Sequence, residues 1–336
     1  RERVRAVEPS ETGGRWRVRH GTEAGVYDHV LLTTGHASSR RDGFAARWDA
    51  RIDHMVSNPY GAQELRATMQ RACSGCDAPV VALRGFALTS IDAMLLLTEG
   101  CGGRFASLGP SRMHYTPPGD NPVRVVPFSR TGRSMLAKPD PRRVRAADDL
   151  EDVWEAGREA VAEASDVAHV ASVLASSAGR ALARSREGEL NWRVTLPIVT
   201  SRMNALLKSR RDNAGHGLSE LATSVAVATG RAPVDSHWAI GESWRRLYPA
   251  IVRWVGCEVD SPGEHRSFAR LAHAMERVAF GPPVDTAVKL LALEGAEVLD
   301  PRFLSDPVLG ASDGQLLLEH HGHRTCVHML VDAVSP

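Results

Sequence analysis

One arrangement occurs twice in this chain, once near each end: short strand patterns separated by turns that lead into a continuously apolar strand. Near the start, residues 3–7 alternate, and residues 8–14 hold Pro9, Gly13 and Gly14, a turn cluster. Residues 15–19 alternate apolar with charged side chains, as a half-buried strand does, and residues 21–25 turn again. Residues 27–33 then become apolar, the pattern of a strand buried on both faces. Near the end, the strand patterns are residues 297–299, 315–320 and 325–331, with Pro301, Pro307 and Gly310 between the first two. Internal similarity of this kind predicts two related domains rather than a solenoid. A length of 336 residues suits two domains.

Between these ends the patterns change. Residues 37–60 are polar and turn-rich, close with Asn58-Pro59-Tyr60, and read as a linker, and residues 61–71 suit a short helix. Residues 79–83 form a short apolar strand, Gly85 follows, and residues 88–97 carry Ile91, Leu95 and Leu96 at helical spacing. A Pro- and Gly-rich loop over 109–122 precedes a strand at 123–128, which ends in Ser129-Arg130-Thr131-Gly132. From about 146 to 278 the spacing of Val153, Trp154, Val161, Val167 and Val170 is helical and Pro is sparse, so this is read as a helical insertion. Gly281-Pro282-Pro283 opens a last segment, with a helix at 284–293. The expected class is α/β, with Rossmann-like sheets, β-meanders and a largely helical insertion. The expected division is 1–60, 61–145, 146–280 and 281–336.

Composition narrows the partners. Lys plus Arg number 41 and Asp plus Glu 40, a net charge of +1. That balance gives no support for nucleic acid or a membrane surface. No apolar run approaches the ~20 residues of a membrane helix, and there is no secretory signal. Five scattered cysteines do not suggest a disulfide scaffold, and a reducing cytoplasm is the simpler reading. The chain opens on Arg1-Glu2-Arg3-Val4-Arg5, strand-like and without Met, and ends abruptly after a strand, so it is expected to be a piece of a longer protein.

Three motifs carry chemistry. In Asp28-His29-Val30-Leu31-Leu32-Thr33-Thr34-Gly35-His36, an apolar strand ends in small residues, which let a backbone approach a ligand closely. In open α/β sheets ligands sit at the carboxyl ends of strands. The alternative is a strand ending in a tight turn. Gly85-Phe86-Ala87-Leu88-Thr89-Ser90-Ile91-Asp92 lies between a strand and a helix, the context of a Gly-x-Gly-x-x-Gly fingerprint. Ala87 and Ser90 replace its second and third glycines, which leaves an ordinary strand–helix turn as the alternative. Ser129-Arg130, at the end of the next strand, supplies a cation suited to a 2′-phosphate. The interval from the glycines is more than twice the usual ~20 residues, so a solvated Arg is the alternative. Cys73-Ser74-Gly75-Cys76 is an isolated pair, His320, His321 and His323 fall in a hairpin turn without matching ligands, and the tryptophans at 154, 192, 238, 244 and 254 read as core.

Taken together and in order, these motifs resemble the FAD/NAD(P)-binding protein family related to FAD-dependent urate hydroxylases and nitrosuccinate-forming aspartate N-monooxygenases. The resemblance is carried by Val30-Leu31-Leu32-Thr33-Thr34-Gly35-His36, Asn58-Pro59-Tyr60, Arg84-Gly85-Phe86-Ala87-Leu88-Thr89-Ser90-Ile91-Asp92, Leu97-Thr98-Glu99-Gly100-Cys101-Gly102-Gly103-Arg104-Phe105, Tyr115-Thr116-Pro117-Pro118-Gly119 and Ser129-Arg130-Thr131-Gly132, and by Phe280-Gly281-Pro282-Pro283 and Leu299-Asp300-Pro301-Arg302-Phe303. It implies a two-dinucleotide-binding-domain flavoprotein. Thr34, Gly35 and His36 match the family's second FAD motif, and Gly85, Leu88, Thr89 and Asp92 its nicotinamide fingerprint. Ser129 and Arg130 match the strand end that suits NADPH, and the long interval before Arg130 is normal for the family. Ala87 departs from the usual Gly. The family's first Gly-x-Gly-x-x-Gly and its closing FAD segment are absent from the chain.

The activity so implied is reduction of FAD by NADPH or NADH, with the reduced flavin activating oxygen to hydroxylate a small nitrogen-containing substrate. The fragment alone is expected to be inactive or weakly nucleotide-binding. The residues also permit a non-catalytic nucleotide-binding protein, or a flavin reductase or dehydrogenase without oxygen transfer.

Overall fold

The computed structural model describes residues 4–10, 14–32, 43–119, 122–186, 190–208 and 218–334. The chain divides into two compact units, a small one within residues 1–39 and a large one over residues 40–335.

The small unit is an antiparallel meander of β1 (Val4–Pro9), β2 (Trp16–His20) and β3 (Glu23–Tyr27), in the order β1-β2-β3. Alternation makes the strands and Gly21, at φ 54, makes the second turn. His20 pairs with Glu23, so that turn is only two residues long, Gly21 and Thr22. The third strand therefore starts four residues earlier than its apolar run suggests. The run itself is not buried: Leu31 is 87% and Leu32 65% exposed. Within the described residues nothing pairs with 28–32 as a strand. Ion pairs Arg15–Asp28 (2.8 Å) and Arg19–Glu8 tie the meander together.

The large unit begins with α1 (Phe44–Trp48) and β4 (Met55–Val56), where a linker was expected. There follow α2 (Ala62–Ala72), β5 (Val80–Arg84), α3 (Leu88–Thr98), the hairpin β6 (Arg104–Gly109) and β7 (Arg112–Thr116), and β8 (Arg124–Phe128). Helices α4 (Glu151–Ala162), α5 (Val167–Ser185), α6 (Trp192–Leu207), α7 (Ser219–Ala228), α8 (Ser236–Glu258) and α9 (Pro262–Ala279) come next, then α10 (Val284–Gly295). The chain closes with β9 (Val308–Ser312), β10 (Gln315–His320), β11 (His323–Val327) and β12 (Met329–Asp332). It is a mixed α/β architecture.

Its centre is a parallel sheet in the order β4-β12-β5-β8, extended beyond β8 by a parallel bridge from Val125 to Leu299. Successive strand side chains point to opposite faces. Val81, Leu83, Val125 and Val331 share one core with α2, α3, α7 and α10. Val80, Ala82, Val126 and Leu330 share another with Trp48, Phe303 and the meander residues Leu316, Leu318 and Val327. The result is three layers: helices, parallel sheet, and the antiparallel meander β11-β10-β9.

The helices α4, α5, α6, α8 and α9 build a separate core around Trp154, Trp238, Trp244 and Trp254. Asp166, Asn191, Asp235 and Ser261 cap α5, α6, α8 and α9, each accepting from the backbone N–H three residues on. Helix α7 departs from this group: Leu221, Val225 and Ala228 pack into the sheet core. Where α8 crosses α9, Gly241 lies so close to Val278 that a Cβ would stand 2.5 Å from its carbonyl oxygen.

Candidate functional site

The first candidate site is the carboxyl edge of the parallel sheet. From β5 the chain passes to β8 on one side, while β12 returns on the other, so the strand order reverses between β5 and β12. Ligands in open α/β sheets bind at such a reversal. Gly85 follows β5 there with φ +102, a conformation that favours glycine. A Cβ at Gly85 would lie 3.2 Å from both the Ala333 carbonyl oxygen and Val334 Cγ2. The Gly85 N–H donates to the Phe128 carbonyl (2.8 Å) and the Ala333 N–H to the Arg84 carbonyl (2.9 Å). The turn is thus wedged between the ends of β8 and β12.

Ala87 is the N-cap of α3, extended (φ −116, ψ −169) and exposed, and supplies no side-chain cap. The first N–H groups of a helix have no intrahelical partner and carry the positive end of its dipole. Here Ala87 and Leu88 are exposed, Thr89 is half-buried and Ser90 is buried. Thr89 Oγ1 lies 3.2 Å from Tyr60 Oη, and Asn58 Oδ1 accepts from the Tyr60 N–H (3.2 Å). The motif at 58–60 and the glycine turn are therefore brought together. Leu88 and Asp92 are exposed, and the hydroxyl of Ser90 is fully buried without a hydrogen-bond partner among the described residues.

Ser129 and Arg130 leave β8 beside this turn. Ser129 Oγ accepts from the Gly132 N–H (3.1 Å) and its backbone bonds Leu304 and Asp306, so Ser129 shapes the turn. Arg130 is exposed and forms no ion pair among the described residues. Thr34, Gly35 and His36 lie outside the described residues.

Two groups at this edge were not singled out from sequence. Arg84 donates to both carboxylate oxygens of Asp332 (2.8 and 2.9 Å), and its guanidinium lies 4.2 Å from the Phe44 ring centroid. Asp332, 5% exposed, stands at the end of β12. The signal available was a single acid closing the apolar run Met329-Leu330-Val331. The start of α3 has no side-chain cap, and Arg130 beside it is exposed and without an ion pair among the described residues. The Ala87 methyl sits at the surface rather than in the packed turn.

The second candidate is a cavity of about 240 Å³ among α6, α7, α8, α9 and the segment after β8. Arg202, Glu220, Asp235, His237, Trp238 and Arg245 are on its wall. Glu220 accepts from Nη1 and Nη2 of Arg277, both at 3.1 Å. Arg245 donates to Glu242 Oε2 (2.6 Å) and to the Ala279 carbonyl (2.7 Å). Asp235 accepts from the Trp238 N–H (2.9 Å) and faces His237 Nδ1 at 3.7 Å. No local motif announces this group, since its members come from four separate stretches of chain.

Burial pushes the Glu242 carboxyl up, but the cations Arg245 and Arg246 outweigh it and hold it below the usual range. A carboxylate depressed on folding contributes stability above its unfolded pKa and loses it as pH falls through the folded value. The stability difference between the protein and Glu242→Gln, measured by urea unfolding, is expected to be largest near neutral pH. It should narrow as pH drops below the ordinary Glu value of 4.5.

The remaining motifs have local roles. Burial, then Cys76, push the Cys73 thiol up to about 11, far from a reactive thiolate. His320 and His321 meet edge-on at the β10–β11 turn, and no group of three metal-ligating side chains gathers among the described residues. No helix among them is long and apolar enough to cross a membrane. The chain matches no known family model, and no curated protein matches it.

Proposed function

We propose that the large unit is the NAD(P)-binding part of an FAD-dependent, NAD(P)H-using oxidoreductase, a monooxygenase or N-hydroxylase acting on a small nitrogen-containing substrate. The observation that carries this reading is the Gly85 turn, which joins β5 to α3 at the point where the parallel strand order reverses. In this reading the free N–H groups at the start of α3 bind the pyrophosphate. Tyr60 and Thr89 fix the helix start, and Arg130 takes the 2′-phosphate of NADPH. The FAD assignment rests on the sequence motif at Thr34, Gly35 and His36. The nicotinamide and flavin would supply hydride transfer and oxygen activation.

The test is titration with NADPH and NADH, followed by calorimetry. NADPH is expected to bind saturably, and Arg130→Ala to weaken it about tenfold, ~1.4 kcal/mol, with little effect on NADH. Absence of binding by either nucleotide removes the reading. The methyl of Ala87, where the fingerprint has Gly, favours a second reading, a nucleotide-binding protein without catalysis. Bound flavin and NAD(P)H oxidation in the longest expressed form would exclude it. Hydroxylated product or hydrogen peroxide under air would separate a monooxygenase from a reductase that does not use oxygen.

A further inference from the structure

Cys73-Ser74-Gly75-Cys76 leads from the end of α2 toward β5. Cys73 is the C-cap of α2, and its N–H donates to the Met69 carbonyl (2.9 Å). The Cys76 N–H donates to the Cys73 carbonyl (3.2 Å), so these residues form a β-turn. Gly75 takes its third position at φ +74, where a side chain would strain the backbone. The ends of such a turn lie within ~7 Å of each other, Cα to Cα. A disulfide spans ~4.4–6.8 Å between the same atoms. The turn therefore brings the two cysteines together before any bond forms.

The side chains follow the backbone. Cys76 Sγ lies 3.8 Å from the Ala72 carbonyl oxygen, so it folds back over the end of α2, on which Cys73 stands. The two sulfurs sense each other: Cys76 is the second cause, after burial, of the raised Cys73 thiol. Cys73 packs against the core shared by α2 and the sheet, whereas Ser74 and Gly75 are exposed and Cys76 is half-buried. A small oxidant thus reaches the turn beside Cys76. A metal would need further ligands, and no group of three gathers among the described residues. Pairs that act as strong oxidants stabilise their reduced form, which makes the disulfide labile. Here the thiolate of Cys73 is disfavoured, which makes the disulfide the more persistent state.

We propose that Cys73 and Cys76 form a reversible disulfide across the turn after α2, with Cys76 as the attacking sulfur and glutathione disulfide as the oxidant. The Cys76 thiolate attacks one sulfur of the oxidant and releases one glutathione thiolate. Cys73 then gives its proton to solvent, attacks the Cys76 sulfur and releases the second glutathione. Two electrons pass from the cysteine pair to the oxidant. Once Cys76 carries glutathione it no longer holds a charge against Cys73, which eases the second step. The pair shares no residue with the sheet edge, so it stands or fails independently of the dinucleotide reading.

The test equilibrates the protein, folded and in urea, with mixtures of reduced and oxidised glutathione, then quenches with acid and digests with trypsin. Cleavage after Arg71 and Arg84 leaves both cysteines on one peptide, Ala72–Arg84, which loses two hydrogen atoms when the bridge forms. The equilibrium constant for the bridge is expected to be about tenfold or more higher in the folded protein than in urea, because the turn already constrains the pair. By linkage the oxidised protein should melt a few degrees higher than the reduced one, and Cys76→Ser should lack that rise. Cys73→Ser should hold glutathione on Cys76. Cys76→Ser should take up glutathione on Cys73 about tenfold more slowly or worse, since its thiol is the disfavoured one. A folded protein carrying only separate glutathione adducts on these cysteines, an equal equilibrium constant in urea, or Cys73 reacting as fast as Cys76 in the single variants would each overturn the proposal.

Discussion

Gly281→Ala is expected to destabilise the protein by about 3 kcal/mol or more, at the upper end of the cost of overpacking. A Cβ built there would lie 1.7 Å from the Leu136 carbonyl oxygen and 2.8 Å from its carbon. The obstacle is backbone, so no rotamer change relieves it. The crossing is also pinned on both sides. The Leu136 N–H donates to the Arg277 carbonyl (3.0 Å), and the Lys138 N–H to the Pro282 carbonyl (2.8 Å). Gly256→Ala is the control, in helix α8 with nothing among the described residues within 4 Å of the added methyl. It should be neutral or stabilise by about 0.5–1 kcal/mol. Urea unfolding of both variants reads the difference. A Gly281→Ala protein with an unshifted midpoint would mean that the two segments do not cross as described.

Arg84→Met is expected to cost about 2–3 kcal/mol. Removing one partner of a buried ion pair strands the other charge, at ~3–5 kcal/mol when both are buried. Asp332 is only 5% exposed, whereas Arg84 is 25% exposed, so water screens part of the loss and the lower end applies. The contact of the guanidinium with Phe44 goes as well. The double variant Arg84→Met with Asp332→Leu leaves no charge behind and should recover most of the stability. A double-mutant cycle gives the coupling directly. Additive single effects would show that the pair contributes no specific interaction.

The parts of the fold that were legible in the sequence are those whose burial is one-sided or complete. Val80–Arg84, Leu88–Thr98 and Val284–Gly295 fall within a residue or two of expectation because their apolar residues face a core. The hairpin strands Arg104–Gly109 and Arg112–Thr116 and strand Val308–Ser312 are largely exposed, so no alternation marked them. Residues 325–331 read as one strand but form two, broken at His328. There the backbone N–H bonds the Val80 carbonyl (2.9 Å) and Nδ1 accepts from the Val80 N–H (3.1 Å), so the chain passes from meander to parallel sheet. In the site, Gly85 was readable because a positive φ demands glycine. Arg84–Asp332 was not, since its partners are 248 residues apart. The cavity was hidden for the same reason: an N-capping Asp235 and the Glu242-Arg245-Arg246 spacing each look like ordinary helix chemistry.

Strand β12 lies between β4 and β5, although it is the last of the sheet strands in the chain. During synthesis from the amino end, β4 and β5 therefore emerge long before the neighbour that joins them. Until Met329–Asp332 leaves the ribosome, each has a bare hydrogen-bonding edge. The core residues Val56, Val81 and Leu83 then have no Val331 to pack against. Long-range parallel pairing of this kind is slow to form and exposed to aggregation while it waits. Production of the protein should thus be sensitive to any stall or truncation ahead of residue 329, and nascent chains of that length are where a chaperone would find its grip.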